Sequence, residues 1–281
     1  MSNSFVYIER HLQIDQPLDG PLELLAQSSG LSKQKLKQAM QKGAVWLTRR
    51  QQLKRLRRVD TALQPGDMLH LYYDERTLAT EPPPPTLLSD DRSYSAWYKP
   101  PGLLSQGTKW GDHCAINRWV EAHLQPRRPT FVVHRLDRDA SGLMLLAHTP
   151  ALAASLSKLF HERTMAKHYR VIVQGRFPDT PQPQLIEQAL DGRDARSRVT
   201  LLSYQASSQR SLLDVGIETG RKHQIRRHLA SLGFPVVGDR IYGTPTDGET
   251  LRLTAASLSF RCPVTKKDRQ LKVPEELLPT L

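Results

Sequence analysis

The sequence predicts an α+β protein built from two unequal parts. Segments with the alternation or apolar character of β-strands outnumber helical segments, which favours a mixed, largely antiparallel sheet flanked by helices. Four consecutive prolines, Pro82–Pro85, separate a short basic region from a longer remainder. With 281 residues, the chain is long enough for one large domain and one small α/β domain.

The tetraproline run indicates the boundary between these parts. Such a run adopts extended polyproline geometry and acts as a semi-rigid spacer. We therefore predict a small N-terminal domain over residues 1–76, a proline-rich linker over 77–93 and a large domain over 94–281.

The N-terminal part shows two short helices followed by strands. Pro21–Ser28 predicts the first helix, and a second begins at Leu31 or Ser32 and ends at Gly43. Leu36 and Met40 lie four residues apart, on one face of this second helix. The stretch AVWLTRR predicts a strand, LKRLRRVDTAL is ambiguous, and QPGDMLHLYYD predicts a turn into a strand.

The large part alternates strands with two clear helices. ALAASLSKLFHER and RKHQIRRHLASLG carry apolar residues at helical spacing, and Gly233 ends the second. The strand-like segments are SYSAWYK, TFVVH, LMLLAHT, KHYRVIVQGR and SLLDVGIET. This order is typical of an α+β domain.

Positive charge is concentrated near the N-terminus. The net charge is +12, and ten Lys or Arg residues lie between Leu24 and Val59 without an acidic residue. This distribution favours a polyanion-binding surface, nucleic acid above all, over a plain solvated face or a membrane-binding helix. The residues expected to contact the polyanion are Lys33, Lys37, Arg49 and Arg55.

Several function classes lack their motifs. The two cysteines share no motif spacing, and no spacing typical of a metal site, Walker sequence, dinucleotide fingerprint or hydrolase elbow is present. No cofactor and no metal are therefore expected. The polar start Met1–Ser4, with no long apolar run after it, predicts neither a signal peptide nor a membrane span. We expect a cytoplasmic monomer that does not bind membranes.

An unusual turn, HRLDRDASG, connects two apolar strand-like runs. Asp137 is a carboxylate at the end of a buried strand, beside arginines, and could act as nucleophile or base. A second polar cluster spans Glu218–Gly243, where Arg221 stands at a strand-to-helix junction and could pair with a carboxylate. Arg226 and Arg227 could bind phosphates.

These stretches together resemble the RluA-type pseudouridine synthases. HRLDRDASG is similar to the family signature His-Arg-Leu-Asp-x-x-Thr-Ser-Gly, and YKPPGLL to its Lys-Pro-x-Gly element. AKHYRVIVQG resembles its Lys-x-Tyr strand, and TGRKHQIRRHLASLGFPVVGDRIYG its Gly-Arg-x-His-Gln-Ile-Arg stretch. The resemblance covers about Tyr98–Pro274 in the family's order. The N-terminal part resembles the αL RNA-binding motif of ribosomal proteins.

The resemblance implies isomerisation of uridine in RNA to pseudouridine, without a cofactor. It makes Asp137 the essential carboxylate, which attacks the anomeric carbon or abstracts a ribose proton. It places Tyr169 against the target base and Arg221 in an ion pair with Asp137. Arg135 would enter the space left when the uridine is extruded from the RNA, and Leu253 would line the base pocket.

Two departures from the family pattern adjoin the site, at Ala140 and Thr254, where the family commonly has Thr and His. The resemblance favours an enzyme that acts on structured RNA, ribosomal RNA before transfer RNA. The alternative is an RNA-binding or RNA-folding factor with an idle site. A DNA-binding regulator finds little support, because the sequence shows no helix-turn-helix dimer.

Overall fold

The computed structural model describes residues 5–180, 182–244 and 248–281, so that residues 1–4 of the polar start lie outside it. By its contacts the chain divides into two units. The first contains Met1–Pro82 and Gln106–Trp119, and the second contains Pro83–Ser105 and Val120–Leu281. The division at Pro82 falls inside the predicted linker. Gln106–Trp119, in contrast, packs with the first unit although the sequence suggested the large domain.

The first unit combines short helices with a four-stranded sheet. Its elements are β1 (Tyr7–Gln13), α1 (Leu22–Ser29), α2 (Lys33–Gln41), β2 (Val45–Arg49), β3 (Gln52–Arg55), β4 (Met68–Asp74) and α3 (Glu75–Ala79). Ser32 caps α2 by accepting a hydrogen bond from the amide of Lys35. Gly43 follows α2 with a φ of +81°, the left-handed conformation that glycine favours.

The sheet of the first unit has the strand order β1-β4-β2-β3. Leu36 and Met40 of α2 pack with Val45, Leu69 and Leu71 in one core, which agrees with the predicted apolar face of that helix. The strand β1 and the helix α3 were not predicted. In β1, polar residues such as Glu9 and Arg10 obscure the alternation.

The second unit contains most of the strands. It begins with β5 (Thr86–Asp90), β6 (Tyr94–Lys99), β7 (Phe131–Val132), β8 (Ser141–Ala147), α5 (Pro150–His161) and β9 (Ala166–Gln174). It continues with β10 (Gln184–Glu187), β11 (Arg196–Gln205), β12 (Arg210–Ile217), α6 (Gln224–Ser231), β13 (Leu253–Arg261) and β14 (Asp268–Lys272). A helix α4 (Ile116–His123) begins in the segment assigned to the first unit.

The strands of the second unit form a sheet in the order β10-β11-β12-β9-β13-β8-β6-β5, with β14 beside β13 and β7 beside β8. The pair β13–β8 is parallel, whereas the neighbouring pairs are antiparallel. The predicted α+β class with a largely antiparallel sheet is therefore confirmed. The predicted strand TFVVH is shorter than expected, because only Phe131–Val132 pairs with β8.

Two apolar clusters support this sheet. Leu152 and Leu156 of α5 belong to the cluster around β6 and β8, and Ile225 and Leu229 of α6 to the cluster around β9 and β12. Gly142 is required where β8 meets β13, because its φ is +114° and an added Cβ would lie 2.3 Å from the carbonyl oxygen of Ala255. Within the described residues, none of the helices combines the length and the apolar character needed to cross a membrane.

Candidate active site

A cavity of about 110 Å³ in the second unit gathers the residues singled out in the sequence. Its lining includes all six site residues predicted for this part of the chain: Arg135, Asp137, Tyr169, Arg221, Arg226 and Leu253. The space exceeds the ~10–15 Å³ that a single water requires. The tertiary fold thus brings together residues that are up to 118 positions apart in the sequence, Arg135 and Leu253 being the outermost.

The segment that carries Asp137 is held on both sides by the YKPPGLLS stretch. On one side, the hydroxyl of buried Ser105 donates to the carbonyl of Leu136 at 2.7 Å and accepts from its amide at 3.0 Å. On the other side, the carbonyl of Arg138 accepts from Lys99 Nζ at 3.0 Å and from the amide of Gly102 at 2.9 Å. The peptide groups flanking the carboxylate are therefore fixed, which is what a positioned catalytic group requires.

Lys99 is fully buried and acts as a brace. Its ammonium also donates to the carbonyls of Pro100 and Leu103, at 3.0 Å and 2.8 Å. Burial lowers the pKa of Lys99 to about 7, against the opposing effect of Asp139 and Asp137. Three carbonyl acceptors satisfy the three donors of an ammonium, so the geometry explains the lysine without contact to a substrate.

Arg226, and not Arg221, pairs with Asp137. Arg226 Nη1 donates to Asp137 Oδ2 at 3.0 Å. The Nε of Arg221 donates instead to the carbonyl of Asp194 at 3.0 Å, while its amide donates to the side chain of Gln224. Arg221 precedes α6, whereas Arg226 lies inside the helix on a buried face. The predicted Arg221–Asp137 pair is therefore wrong, and Arg221 remains a residue of the cavity wall.

The predicted role of Arg226 as a phosphate contact also needs correction. Its side chain is only 7% exposed, and a second carboxylate holds the rest of the guanidinium. Nε and Nη2 donate to Asp239 Oδ2 and Oδ1, both at 2.7 Å, in a bidentate pair. Arg227, proposed with it, pairs with Asp191. Neither guanidinium is free for a phosphate in this arrangement.

Asp239 is a site residue that the sequence reasoning did not assign. It lies in the GDRIYG end of the family-like stretch, and that position was the signal available. Burial opposes its charge, but hydrogen bonds from Arg226 and from the amides of Ile241 and Tyr242 lower its pKa. Burial likewise opposes the charge of Arg226, and the two carboxylates outweigh it and raise its pKa. The Asp137–Arg226–Asp239 chain therefore carries a net charge of −1 when both carboxylates are ionised.

Tyr169 and Leu253 form the apolar side of the cavity. They lie on the adjacent strands β9 and β13, which pair with Leu253 opposite Val171 and Ala255 opposite Tyr169. Burial and the nearby Asp137 raise the pKa of the Tyr169 phenol. The phenol is consequently protonated at neutral pH, a flat partner for a planar base and not a ready phenolate base.

Two histidines near Asp137 are neutral at physiological pH. Burial lowers the pKa of His134 to about 3, and its Nε2 accepts from the amide of Leu145. Burial also lowers the pKa of His223, although Asp137 opposes the shift. The ring of His223 bonds to the hydroxyl of Tyr242 at 3.0 Å, and its Nε2 lies 3.8 Å from Asp137 Oδ1. These contacts give both rings structural roles.

The two departures from the family pattern are accommodated locally. Ala140 is buried in the apolar cluster that includes Val171 and Leu253, where a methyl group packs without an unsatisfied polar atom. Thr254 is buried and its hydroxyl lies 2.7 Å from that of Ser141. Neither residue disturbs the contacts of Asp137. No group of three or more potential metal ligands occurs in the described ranges 5–180, 182–244 and 248–281.

In the first unit, two of the predicted polyanion contacts serve the fold instead. Arg49 forks onto the carboxylate of buried Asp67, with Nη2 at 2.6 Å from Oδ2. Arg55 is 14% exposed and pairs with Asp112 at 3.1 Å. The acidic partners, Asp67 and Asp112, lie outside the basic segment in sequence. The local count of charges therefore gave too many unpaired cations. The expectation that Arg49 and Arg55 contact a polyanion is corrected accordingly.

The lysines of α2 are more open. Lys33 is exposed and pairs with exposed Glu23, an ion pair of the kind that contributes little. Lys37 is exposed on the same helix, and Arg50 and Lys54 line a cavity of about 380 Å³ on the β2–β3 hairpin. Fewer than the ten basic residues of this segment are therefore available to bind a polyanion.

The chain is similar to known RNA pseudouridine synthases. A family model described as RNA pseudouridylate synthase matches residues 93–231. An uncharacterised RNA pseudouridine synthase of Chloroflexus aurantiacus is 43% identical over 123 residues, 40% of this chain and 38% of that protein. This chain thus spans less than two thirds of that relative.

A longer match is the dual-specificity RNA pseudouridine synthase RluA of Vibrio vulnificus. It is 32% identical over 221 residues, which cover 70% of this chain and 87% of that protein. The solved structure of human RNA pseudouridylate synthase domain containing 4 superposes with a TM-score of 0.56 at 21% identity, over 69% of this chain and 88% of that one. This last likeness concerns the fold alone. The chain therefore belongs to the RluA-type family of RNA pseudouridine synthases.

Proposed function

We propose that the protein isomerises specific uridines of a structured RNA to pseudouridine, with Asp137 as the catalytic carboxylate. The observation that carries the proposal is the position of Asp137. It lines a cavity whose other wall is Tyr169 and Leu253, and its carboxylate accepts from a guanidinium that is itself held by Asp239. A charged group beside an apolar slot suits a reaction at the sugar of a planar base.

The reaction needs no net redox change. The N-glycosidic bond breaks, the base rotates in the cavity, and a carbon–carbon glycosidic bond forms, while that ring carbon loses its proton and the freed ring nitrogen gains one. Asp137 either attacks the anomeric carbon or removes a ribose proton, and both roles require an ionised carboxylate. The hydrogen bond from Arg226 orients the carboxylate. Tyr169 holds the base. Because its phenol is protonated, it can accept the proton of the ring carbon only if it donates its own hydroxyl proton to another group at the same time.

The target nucleotide must leave the RNA stack before it can reach Asp137. Arg135 is exposed at the cavity rim, so it can occupy the space that the extruded uridine leaves. Leu253 packs against the base from β13. These positions support the substrate roles that the family resemblance suggested for both residues.

We favour ribosomal RNA over transfer RNA as substrate. The support is the exposed basic surface of the first unit at Lys33, Lys37, Arg50 and Lys54, a separate unit that can bind RNA outside the target nucleotide. Binding is then expected to weaken steeply with salt. The alternative remains an RNA-binding or RNA-folding factor with an idle cavity. Under either proposal the protein works where its RNA is, which we expect to be the cytoplasm.

The test maps pseudouridines across total RNA from cells with and without the gene, by carbodiimide labelling and reverse-transcription stops. Cells lacking the gene are complemented with the parent, with Asp137→Ala, or with Asp139→Ala. Asp139 is the matched control, because it lies two residues further on, is exposed, and pairs with Arg138 outside the cavity.

A stop that disappears without the gene, returns with the parent and Asp139→Ala, and stays absent with Asp137→Ala supports the proposal and names the RNA. A stop that Asp137→Ala restores would contradict the catalytic assignment. If the map is unchanged, purified protein on transcribed ribosomal RNA decides, since RNA binding without conversion supports the idle-site alternative.

A further inference from the structure

The outer face of the four-stranded sheet in the first unit carries a run of rings. On the inner face, alternate residues of β2 and β4 join the core of the unit. The other alternate residues point outward. In the register of β1 with β4, Glu9 lies opposite Tyr72 and His11 lies opposite His70. On the other side of β4, His70 lies opposite Trp46 of β2. Period-two alternation therefore puts aromatic and imidazole side chains on one continuous surface.

These rings contact one another across strands. The ring centroids of Tyr7 and Trp110 are 4.4 Å apart, and those of Trp110 and Tyr72 are 5.6 Å apart. His11 continues the run, at 5.6 Å from Tyr72 and 5.0 Å from His70. Trp110 belongs to the Gln106–Trp119 segment, which contributes it to this unit.

The run ends on an exposed ring. Tyr7 is 63% exposed, and the apolar side chains of Met68 and Leu53, on the same face, are 39% and 54% exposed. Apolar side chains that stay in water do not contribute the free energy of burial. An exposed apolar patch of this kind is typical of a binding surface. The sheet below already holds the rings in place, so they lose little conformational entropy when a base stacks on them.

Two cations lie against the rings of this face. Lys109 Nζ lies 4.7 Å from the ring centroid of Tyr72 and 4.9 Å from that of Trp110, in cation–π positions. The same ammonium pairs with Glu9 at 2.9 Å and neutralises that carboxylate. Across the sheet, Arg55, which pairs with Asp112, also lies over the Trp46 ring, with its guanidinium carbon 4.0 Å from the ring centroid. Rings interleaved with cations and imidazole donors match unpaired bases and their phosphates.

We propose that this outer sheet face, from Tyr7 and Trp110 to Leu53, binds about two or three unpaired nucleotides of an RNA by stacking. The inference rests on the proposed function in that it takes RNA as the substrate. It adds a binding surface for single-stranded RNA that is separate from the Asp137 cavity and from the lysines of α2. The sheet presents the rings, and the neighbouring cations track the backbone.

The experiment measures binding of a fluorescein-labelled single-stranded oligouridylate to the full chain by fluorescence anisotropy across a salt series. The variants are Tyr7→Ala, Tyr7→Phe as the matched control that keeps the ring, and Lys109→Ala as the charge variant on the same face. Loss of one stacked base weakens binding about tenfold, so Tyr7→Ala is expected to bind about tenfold more weakly than the parent, and Tyr7→Phe like the parent.

The salt slope separates stacking from charge. Tyr7→Ala is expected to leave the slope of log K against log salt unchanged, whereas Lys109→Ala lowers it by about one. A second measurement follows tryptophan fluorescence. Oligouridylate should quench the parent, and Trp110→Phe should lose part of that quenching.

Equal affinities of the parent and Tyr7→Ala, or equal losses in Tyr7→Ala and Tyr7→Phe, would overturn the stacking proposal, as would unaltered quenching in Trp110→Phe. Such results would leave the face to a protein partner. Uridine conversion is assayed separately on the same preparations. A parent that binds oligouridylate but converts no uridine would contradict the proposed function while the stacking proposal stands.

Discussion

The buried carboxylate of Asp239 is predicted to set the aim of Arg226 toward Asp137. The test substitution is Asp239→Asn, which keeps the shape of the side chain. Oδ1 of Asp239 accepts from Arg226 Nη2 and from the amides of Ile241 and Tyr242, and an amide oxygen can keep these three bonds. In the parent, Arg226 Nε donates to Asp239 Oδ2 at 2.7 Å. The substitution replaces this oxygen with an NH₂ group, which cannot accept that hydrogen bond.

The magnitude follows from this local exchange. Loss of one charge-assisted hydrogen bond costs ~1.5–3 kcal/mol, and removal of one partner from a buried ion pair ~3–5 kcal/mol. We expect the free energy of unfolding to fall by about 3 kcal/mol, which a domain of ordinary stability survives. The guanidinium is then free to shift. A displacement of about 1 Å at a catalytic group costs about 100-fold in rate, so the rate at saturating RNA should fall by that order while the KM changes little.

The assay is single-turnover conversion of a transcript containing the target uridine, together with urea unfolding. The control is Asp191→Asn, which makes the same change opposite the next arginine, Arg227, in an exposed pair worth at most ~1 kcal/mol. Parent-like turnover in Asp239→Asn would refute the idea that Asp239 aims Arg226. A loss confined to KM would refute it as well, because it would indicate impaired RNA binding.

Three further predictions follow from the site. Arg226→Ala should lower the single-turnover rate far more than Arg221→Ala, since only Arg226 bonds to Asp137, and equal losses would contradict the pairing. Ser105→Ala leaves the buried amide and carbonyl of Leu136 without their partner, so urea unfolding should show a loss of about 2–4 kcal/mol, and an unchanged midpoint would argue against the brace. The folded state keeps His134 neutral down to a pKa of about 3, whereas the unfolded chain protonates it near 6.5. The free energy of unfolding should therefore fall as pH drops from about 6.5 toward 3, with a shallower fall in His134→Gln, and identical slopes would contradict this origin.

Local sequence patterns predicted much of the fold. The helices α1, α2, α5 and α6 were expected close to their observed bounds, because each has apolar residues at helical spacing and a stop signal such as Gly43 or Gly233. The strands β5, β10, β11, β13 and β14 and the helix α4 were not predicted either. In β10 and β11, polar residues on the outward face weaken the alternation, and these two strands form because neighbouring strands supply hydrogen bonds.

The family motifs marked Asp137, Tyr169 and Leu253, and the fold gathers all three around one cavity. Motifs could not reveal the brace from Ser105, since its hydroxyl reaches Leu136 across 31 residues. They could not separate free from paired cations either. Arg55 and Lys54 are neighbours in sequence, but the alternation of β3 sets Arg55 beside Trp46, in a pair with Asp112, and Lys54 on the opposite side, beside Leu47.

Short-range patterns and motifs in a recognisable order were enough to predict the α+β class, the family and the Asp137 carboxylate that lines the cavity. Which arginine meets that carboxylate depends instead on how distant segments pack. Arg221 and Arg226 are five positions apart, with Arg221 just before α6 and Arg226 in its first turn. The packing of α6 turns Arg226 inward, between Asp137 and Asp239, and that packing depends on contacts with strands distant in the chain.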